Sequence, residues 1–66
     1  MEILFRLERE TKGALRYEEL GGDGNPVEIG EGAQIGTLYV RKDAATAAFN
    51  GFPSSILLTI TKVTGV

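Results

Sequence analysis

The first ten residues alternate between apolar and polar side chains, and no other feature constrains the fold of this chain as strongly. One face of the alternating segment carries Ile3, Phe5 and Leu7. The opposite face carries Leu4, Arg6, Glu8 and Glu10. A period of two over this length is typical of a half-buried β-strand, so we predict a strand over residues 2–10.

A second alternating segment, residues 15–20, predicts that this strand continues into a β-hairpin. A three-residue loop, Thr11-Lys12-Gly13, places Leu7 opposite Tyr17 and uses Gly13 where the backbone needs a positive φ. A two-residue loop would instead bring like charges face to face across the strands. We therefore predict the longer loop, together with two cross-strand ion pairs, Glu8–Arg16 and Arg6–Glu18.

Turn-forming residues fill the segment from Gly21 to Gln34, which we interpret as a solvated connector because it has too few carboxylates for a calcium loop. A third strand is predicted over residues 35–41, with Leu38 and Val40 facing the core. A fourth strand is predicted over residues 54–63. Its nearly continuous apolar run indicates that it is paired on both sides.

A short helix is predicted between the third and fourth strands, over residues 43–51. Asp43 is a favourable N-cap, and Gly51 suits the left-handed position that often follows a last helical turn. Two turns of helix are not stable alone. We therefore expect Phe49 to anchor the helix on the sheet.

These segments predict a single domain over residues 1–66 with a mainly β, β-rich α+β fold. Its expected architecture is a four-stranded antiparallel, meander-like sheet with one short helix between strands 3 and 4. A parallel crossover through the helix is the alternative, because the connecting segment just reaches the required length. The predicted core consists of Ile3, Phe5, Leu7, Leu15, Tyr17, Leu38, Val40, Phe49, Ile56, Leu58 and Ile60.

The chain contains neither cysteine nor histidine, and this narrows the chemistry available to it. Disulfides are excluded, and so is a tight zinc site, which normally uses those two residue types. A serine nucleophile has no histidine to act as its base. We interpret the hairpin carboxylates as surface ion-pair partners of Arg and Lys: Glu8, Glu10, Glu18 and Glu19. The sequence therefore predicts a protein that is not an enzyme and has no catalytic residues, metal site or cofactor.

The size of the chain points to self-association. Sixty-six residues bury little surface, and small domains without disulfides or metals are commonly stabilised by a partner subunit. No apolar run approaches the ~20 residues that span a bilayer, and no pattern of a signal peptide is present. The lack of cysteine fits a reducing compartment, so we expect a cytoplasmic protein that does not enter the membrane.

Three stretches of sequence carry a resemblance to known proteins. They are Thr11-Lys12-Gly13 followed by Arg16-Tyr17, the segment from Ile35 to Lys42, and the segment from Ser55 to Ile60. In this order they resemble a group of small, uncharacterised bacterial and phage β-proteins. The resemblance implies a compact, free-standing domain and carries no catalytic residues to this chain.

Apolar residues on the second face of the sheet are candidates for an interface. They are Leu4, Leu20, Tyr39, Leu57 and Val63. A contiguous apolar patch on a small domain usually marks an interaction site. The pattern therefore predicts a non-enzymatic protein-interaction module, a homo-oligomeric adaptor or inhibitor, whose partner is a second copy or another protein.

Single-stranded nucleic acid is the alternative partner for the same face. Bases would stack on Tyr39, and phosphates would bind the basic residues Arg6, Arg16, Arg41 and Lys42. One aromatic residue is few for a stacking platform, and the net charge is −2. Because glutamates lie between the basic residues on this face and would repel phosphate, protein interaction is the preferred hypothesis.

Overall fold

Four strands and one helix follow one another along the chain, in a computed structural model that describes residues 1–65. In chain order they are β1 (Glu2–Glu10), β2 (Ala14–Glu19), β3 (Thr37–Arg41), α1 (Lys42–Phe49) and β4 (Ser55–Thr59). The sheet order is β3-β2-β1-β4, and every neighbouring pair is antiparallel. This confirms the predicted mainly β fold, with an antiparallel four-stranded sheet and one helix between strands 3 and 4.

The fourth strand returns to the opposite edge of the sheet from the third. The first three strands form a meander, and β4 then pairs with β1, which is the strand order of a Greek key. The alternative of a parallel crossover is therefore not formed. The prediction that the fourth strand is paired on both sides is wrong within this chain, because its only neighbour among residues 1–65 is β1.

A β-bulge at Glu8 reconciles the two hairpin registers considered above. Leu7 pairs with Tyr17, as the longer loop predicts, but Arg9 pairs with Arg16, as the shorter loop predicts. Glu8 is the extra residue between the two registers. The turn itself is the shorter one, because the Thr11 N–H donates to the Ala14 carbonyl oxygen at 2.8 Å.

Two expectations fail as a result of this bulge. Gly13 is not among the glycines with a positive φ, so it does not occupy the left-handed position assigned to it. Glu10 pairs with the buried Leu15, so it lies on the core side of the sheet rather than beside Glu8. There its carboxylate is 3.2 Å from the Lys42 ammonium group.

The core lies on the face of the sheet that the alternation predicts. Its most buried members are Ile3, Phe5, Leu15, Tyr17 and Ala45. Partly buried side chains pack around them: Leu7, Leu38, Val40, Ile56, Leu58 and Ile60. The predicted core is thus confirmed in every strand, and the exception comes from the helix.

The helix is seated by Ala45 and not by Phe49. Ala45 is fully buried, whereas Phe49, one turn further on, is 56% exposed. The helix packs against β3, at the edge of the sheet, and a methyl group suits this close approach. The expectation that Phe49 anchors the helix is therefore wrong.

The ends of the helix also differ from the prediction. The N-cap is Arg41, which makes no side-chain capping bond, and Asp43 lies in the first turn, where its Oδ1 accepts the Ala44 N–H. Asn50, with φ 57°, occupies the left-handed position assigned to Gly51. Asn adopts this conformation more readily than other residues with a side chain.

The long loop between β2 and β3 is fixed by Glu19, which was expected to form an ion pair at the surface. Glu19 is only 3% exposed. Its Oε1 accepts the N–H groups of Gln34, Ile35 and Gly36 at 3.0, 2.8 and 3.0 Å. These bonds tie the end of the loop to the end of β2.

Candidate interaction surface

We call the sheet face opposite the core the outer face. Three leucines lie side by side on this face, one just after β2, one in β1 and one in β4. We call them the leucine row: Leu20, Leu4 and Leu57. Leu4 is directly opposite Leu57 in the β1–β4 ladder. The Leu20 N–H donates to the Leu4 carbonyl oxygen at 2.8 Å, which places Leu20 beside Leu4 on the other side.

Two members of the leucine row are open to solvent. Leu57 is 58% exposed and Leu4 is 45% exposed, whereas Leu20 is partly buried at the start of the long loop. The row borders a shallow groove of about 550 Å³ whose other wall includes Gly21 and Gly22. The long loop therefore narrows one end of the row but leaves Leu4 and Leu57 uncovered.

The other two candidate interface residues lie apart from this row. Tyr39 is 58% exposed on β3, and it faces Arg16 across the ladder. A charged pair, Arg6–Glu18, stands between Tyr39 and the leucines, with 3.0 Å between Arg6 Nη2 and Glu18 Oε2. Val63, 67% exposed, follows the end of β4. The structure thus brings together three of the five residues.

Basic residues gather at the hairpin end of the sheet, which we call the basic end: Arg9, Lys12, Arg16, Arg41 and Lys42. Arg16 lies between Tyr39 on β3 and Arg9 on β1. Arg41 is on the same face and is highly exposed, with its Nε 3.3 Å from Asp43 Oδ1. Lys42 instead turns to the core side, 5.8 Å from the centre of the Phe52 ring.

The Arg16 guanidinium is the least satisfied polar group of this end. Its Nε is buried and lies 3.2 Å from Glu8 Oε1, but the geometry is not that of a hydrogen bond. The pair is therefore held by charge alone. At the bulge, Glu8 and Arg9 both lie opposite Arg16, and the Glu8–Arg16 ion pair that the longer loop predicts is formed.

Acidic residues lie at the opposite end, which we call the acidic end: Glu2 at the start of β1, with Asp23 and Glu31 in the long loop. Within residues 1–65 none of these three belongs to an ion pair. Asp23 accepts the backbone N–H of Asn25 at 3.0 Å, and this bond lowers the pKa of Asp23. The carboxylates of the basic end, Glu8, Glu10 and Asp43, are each paired with Arg or Lys, so the unpaired carboxylates among residues 1–65 concentrate at the acidic end.

Two buried groups have shifted pKa values that follow from their surroundings. The three N–H bonds, those from Gly36 and Ile35 above all, lower the pKa of Glu19 and outweigh the opposing effect of burial. Burial raises the pKa of Tyr17, whose hydroxyl donates to the Pro53 carbonyl oxygen at 2.7 Å. Both groups hold the fold together, and neither opens onto the leucine row.

Sequence reasoning missed Glu19 although a signal for it exists. Glu19 is in phase with Leu15 and Tyr17, so the period that places those two in the core also places Glu19 there. A carboxylate at such a position requires several donors. The glycine-rich loop that follows is the natural source of backbone N–H groups.

Comparisons with protein-family models, with curated proteins and with solved structures found no match to this chain. In the part of the chain that the structure describes, no cluster of acidic side chains is arranged to hold a metal ion. No helix in the same part is long and apolar enough to cross a membrane. Inferences about function therefore rest on the outer face and the edges of the sheet.

Proposed function

We propose that the protein is a non-enzymatic protein-interaction module that works as a homo-oligomer, in the manner of a small adaptor or inhibitor. The observation that carries this proposal is the leucine row, which runs across the outer face to the edge of the sheet. Leu4 and Leu57 are exposed side by side there. Solvent-exposed leucines in adjacent register form a surface that another protein can cover.

The energetics favour a partner at this place. Burying a large apolar side chain contributes about 1.5–3 kcal/mol. A second copy that meets the leucine row at Leu57 covers the Leu57 side chains of both chains, and this gain offsets part of the free energy lost on association. The single chain has a small core, so covering these side chains also stabilises its fold.

Light scattering coupled to size-exclusion chromatography tests this proposal. We expect a mass larger than the monomer at high micromolar concentration, and Leu57→Glu should reduce it to the monomer. Phe49→Glu is the matched control, because Phe49 is exposed to nearly the same extent but lies outside the leucine row. A monomer mass for the wild type at every concentration would refute the proposal.

Single-stranded nucleic acid is the second candidate ligand, and the exposed Tyr39 at the basic end supports it. A base stacked on Tyr39 would have Arg16 and Arg41 within reach of its phosphates. The opposing observation is that each arginine already has a carboxylate beside it, Glu8 or Asp43. Phosphate would have to displace these carboxylates, and for this reason protein interaction comes first.

A fluorescence titration with short single-stranded oligonucleotides at two salt concentrations separates the two candidates. Nucleic-acid binding predicts weaker affinity for Tyr39→Ala and a flatter salt dependence for Arg41→Glu. Phe49→Ala is a suitable control, since Phe49 is an aromatic residue exposed to nearly the same extent as Tyr39 but lies on α1, on the other side of the sheet. Absence of salt-sensitive binding by the wild type would eliminate this candidate.

A further inference from the structure

We propose that two copies of the chain pair through their β4 strands, edge to edge and antiparallel, with Leu57 on the two-fold axis. This inference rests on the proposed homo-oligomer and specifies its geometry. The two four-stranded sheets would then form one continuous sheet. Four features of β4 favour this pairing: its composition, the direction of its free hydrogen-bonding groups, the self-complementarity of its register, and the charges in the rows that it joins.

The composition of β4 is that of a strand inside a sheet. Its sequence, Ser-Ile-Leu-Leu-Thr, has no charge and no proline, and both of its faces carry large apolar residues. Edge strands that remain free are usually protected by a charge, a proline or a bulge. The opposite edge strand, β3, ends in Arg41 and continues directly into α1, whereas β4 has none of these protections.

The backbone groups of β4 divide cleanly between its two sides. Ile60 N–H donates to the Met1 carbonyl oxygen, and Ser54 accepts from the Leu7 N–H, each at 2.8 Å. Because antiparallel hydrogen bonds alternate along a strand, the even-numbered residues of β4 face β1. The N–H and C=O groups of Ser55, Leu57 and Thr59 therefore point to the open edge.

These three residues make β4 complementary to itself. When Leu57 faces Leu57 of the second copy, Ser55 faces Thr59 of that copy, and Thr59 faces its Ser55. Every facing pair consists of residues whose hydrogen-bonding groups point outwards, so all of them pair at once. The leucine row becomes continuous across the axis, and the partly buried Ile56 and Leu58 extend the core in the same way.

Charge favours this orientation over a parallel one. Antiparallel pairing sets the row that carries Arg6 in one copy beside the row that carries Glu2 in the other. In the row that contains Ser55, Arg6 lies next to Ser55 on β1. The same row continues through Thr59 to Glu2 of the second copy, which is the acidic end. A parallel arrangement would instead set the Arg6 rows of the two copies beside each other, and the Glu2 rows likewise.

Amide hydrogen exchange measured by NMR on the wild type tests the pairing directly. In the dimer, the amides of Leu57 and Thr59 should exchange at least roughly tenfold more slowly than after dilution to the monomer. The Leu58 amide is the internal control, because it bonds to β1 in both states. A dimer in which Leu57 and Thr59 stay unprotected would overturn edge pairing and leave the homo-oligomer in place. A monomer at every concentration would overturn both proposals.

Disulfide trapping tests the register. Because the chain contains no cysteine, a single cysteine variant can form a disulfide only at the introduced position. Leu57→Cys should form a covalent dimer under mild oxidation, since facing Cα atoms are about 5.5 Å apart, within the range of a disulfide. Ser55→Cys alone should not, because its two copies would be about 13 Å apart. Mixing Ser55→Cys with Thr59→Cys should restore the covalent dimer. Efficient trapping by Ser55→Cys alone would refute the register.

Discussion

Glu19 and Gly36 are joined by two hydrogen bonds of opposite direction. Glu19 Oε1 accepts the Gly36 N–H at 3.0 Å, and the Glu19 backbone N–H donates to the Gly36 carbonyl oxygen at 3.1 Å. The second bond continues the β2–β3 ladder, and the first holds the chain that leads into β3. One residue thus fixes both where the long loop ends and where the third strand begins.

We predict that Glu19→Gln destabilises the protein by about 2–3 kcal/mol. The neutral amide accepts hydrogen bonds more weakly than the carboxylate. Its NH₂ group would also face backbone N–H groups, which cannot accept a hydrogen bond from it. Urea unfolding at neutral pH measures the loss. Glu31→Gln is the control, because Glu31 is exposed in the same loop, and it should change the free energy of unfolding by no more than about 0.5 kcal/mol.

The stability of the wild type should fall in acid because the pKa of Glu19 is lowered in the folded state. The unfolded chain then binds the proton more tightly than the folded protein does. The contribution of Glu19 is therefore complete above the ordinary pKa of 4.5 and is lost as the pH falls through the lowered value. Glu19→Gln should show a flatter decline in melting temperature below pH 5, and an identical decline would contradict this account.

Gly36→Ala should also be destabilising, by about 1–2 kcal/mol, because the backbone at this position has a φ of 91°. A Cβ atom would in addition lie 3.0 Å from Ile29 Cγ1. Gly22→Ala is the matched control in the same loop. Gly22 has no positive φ, and its Cβ would meet nothing within 4 Å. Equal melting temperatures for the two variants would argue against this loop conformation.

Because Ala45 and not Phe49 packs α1 against the sheet, we predict that substitutions at these two positions, one turn apart, differ in their effect on stability. Ala45→Leu should cost about 1–3 kcal/mol, since it forces a large side chain into a closed contact. Phe49→Ser should change the stability by less than about 0.5 kcal/mol, because Phe49 is mostly solvated. Thermal unfolding followed by circular dichroism distinguishes them. The reverse order of effects would mean that Phe49 anchors the helix.

Gly13→Ala should leave the melting temperature unchanged or raise it slightly. Gly13 has no positive φ, and its Cβ would meet nothing within 4 Å. Alanine reduces the conformational freedom of the unfolded chain, which favours folding by up to about 1 kcal/mol. Gly24→Ala, at a φ of 83°, should be destabilising in the same assay. A marked loss in Gly13→Ala would support the three-residue loop.

The alternation of the sequence predicts the faces of the strands well because burial decides them. It places Ile3, Phe5, Leu15 and Tyr17 in the core. It fails at the bulge, since Glu8, Arg9 and Glu10 are all charged and the hydrophobic pattern does not fix their register there. In the helix, the sequence holds several alanines, and only packing against β3 decides that Ala45 is the buried one.

The candidate interface was predictable in part for the same reason. Leu4 and Leu57 follow from strand alternation, and their adjacency follows from the pairing of β1 with β4. That pairing was not predictable, because a strand apolar on both faces reads as an inner strand whether another strand of the same chain or a second copy covers it. Alternation along β3 also places Tyr39 on the outer face. The strand order, however, sets it two strands away from Leu4.

The wide separation of β1 and β4 along the chain sets the order in which the strands can pair during synthesis. The β1–β2 hairpin is local, whereas the ladder between β1 and β4 includes a hydrogen bond between Met1 and Ile60, 59 positions apart. Such distant contacts form late, because closing a long loop costs chain entropy before it is rewarded. A nascent chain therefore leaves the ribosome with one edge of β1 bare until residues 55–59 have emerged. During that interval Ile3 and Phe5 lie beside an unpaired backbone on that side.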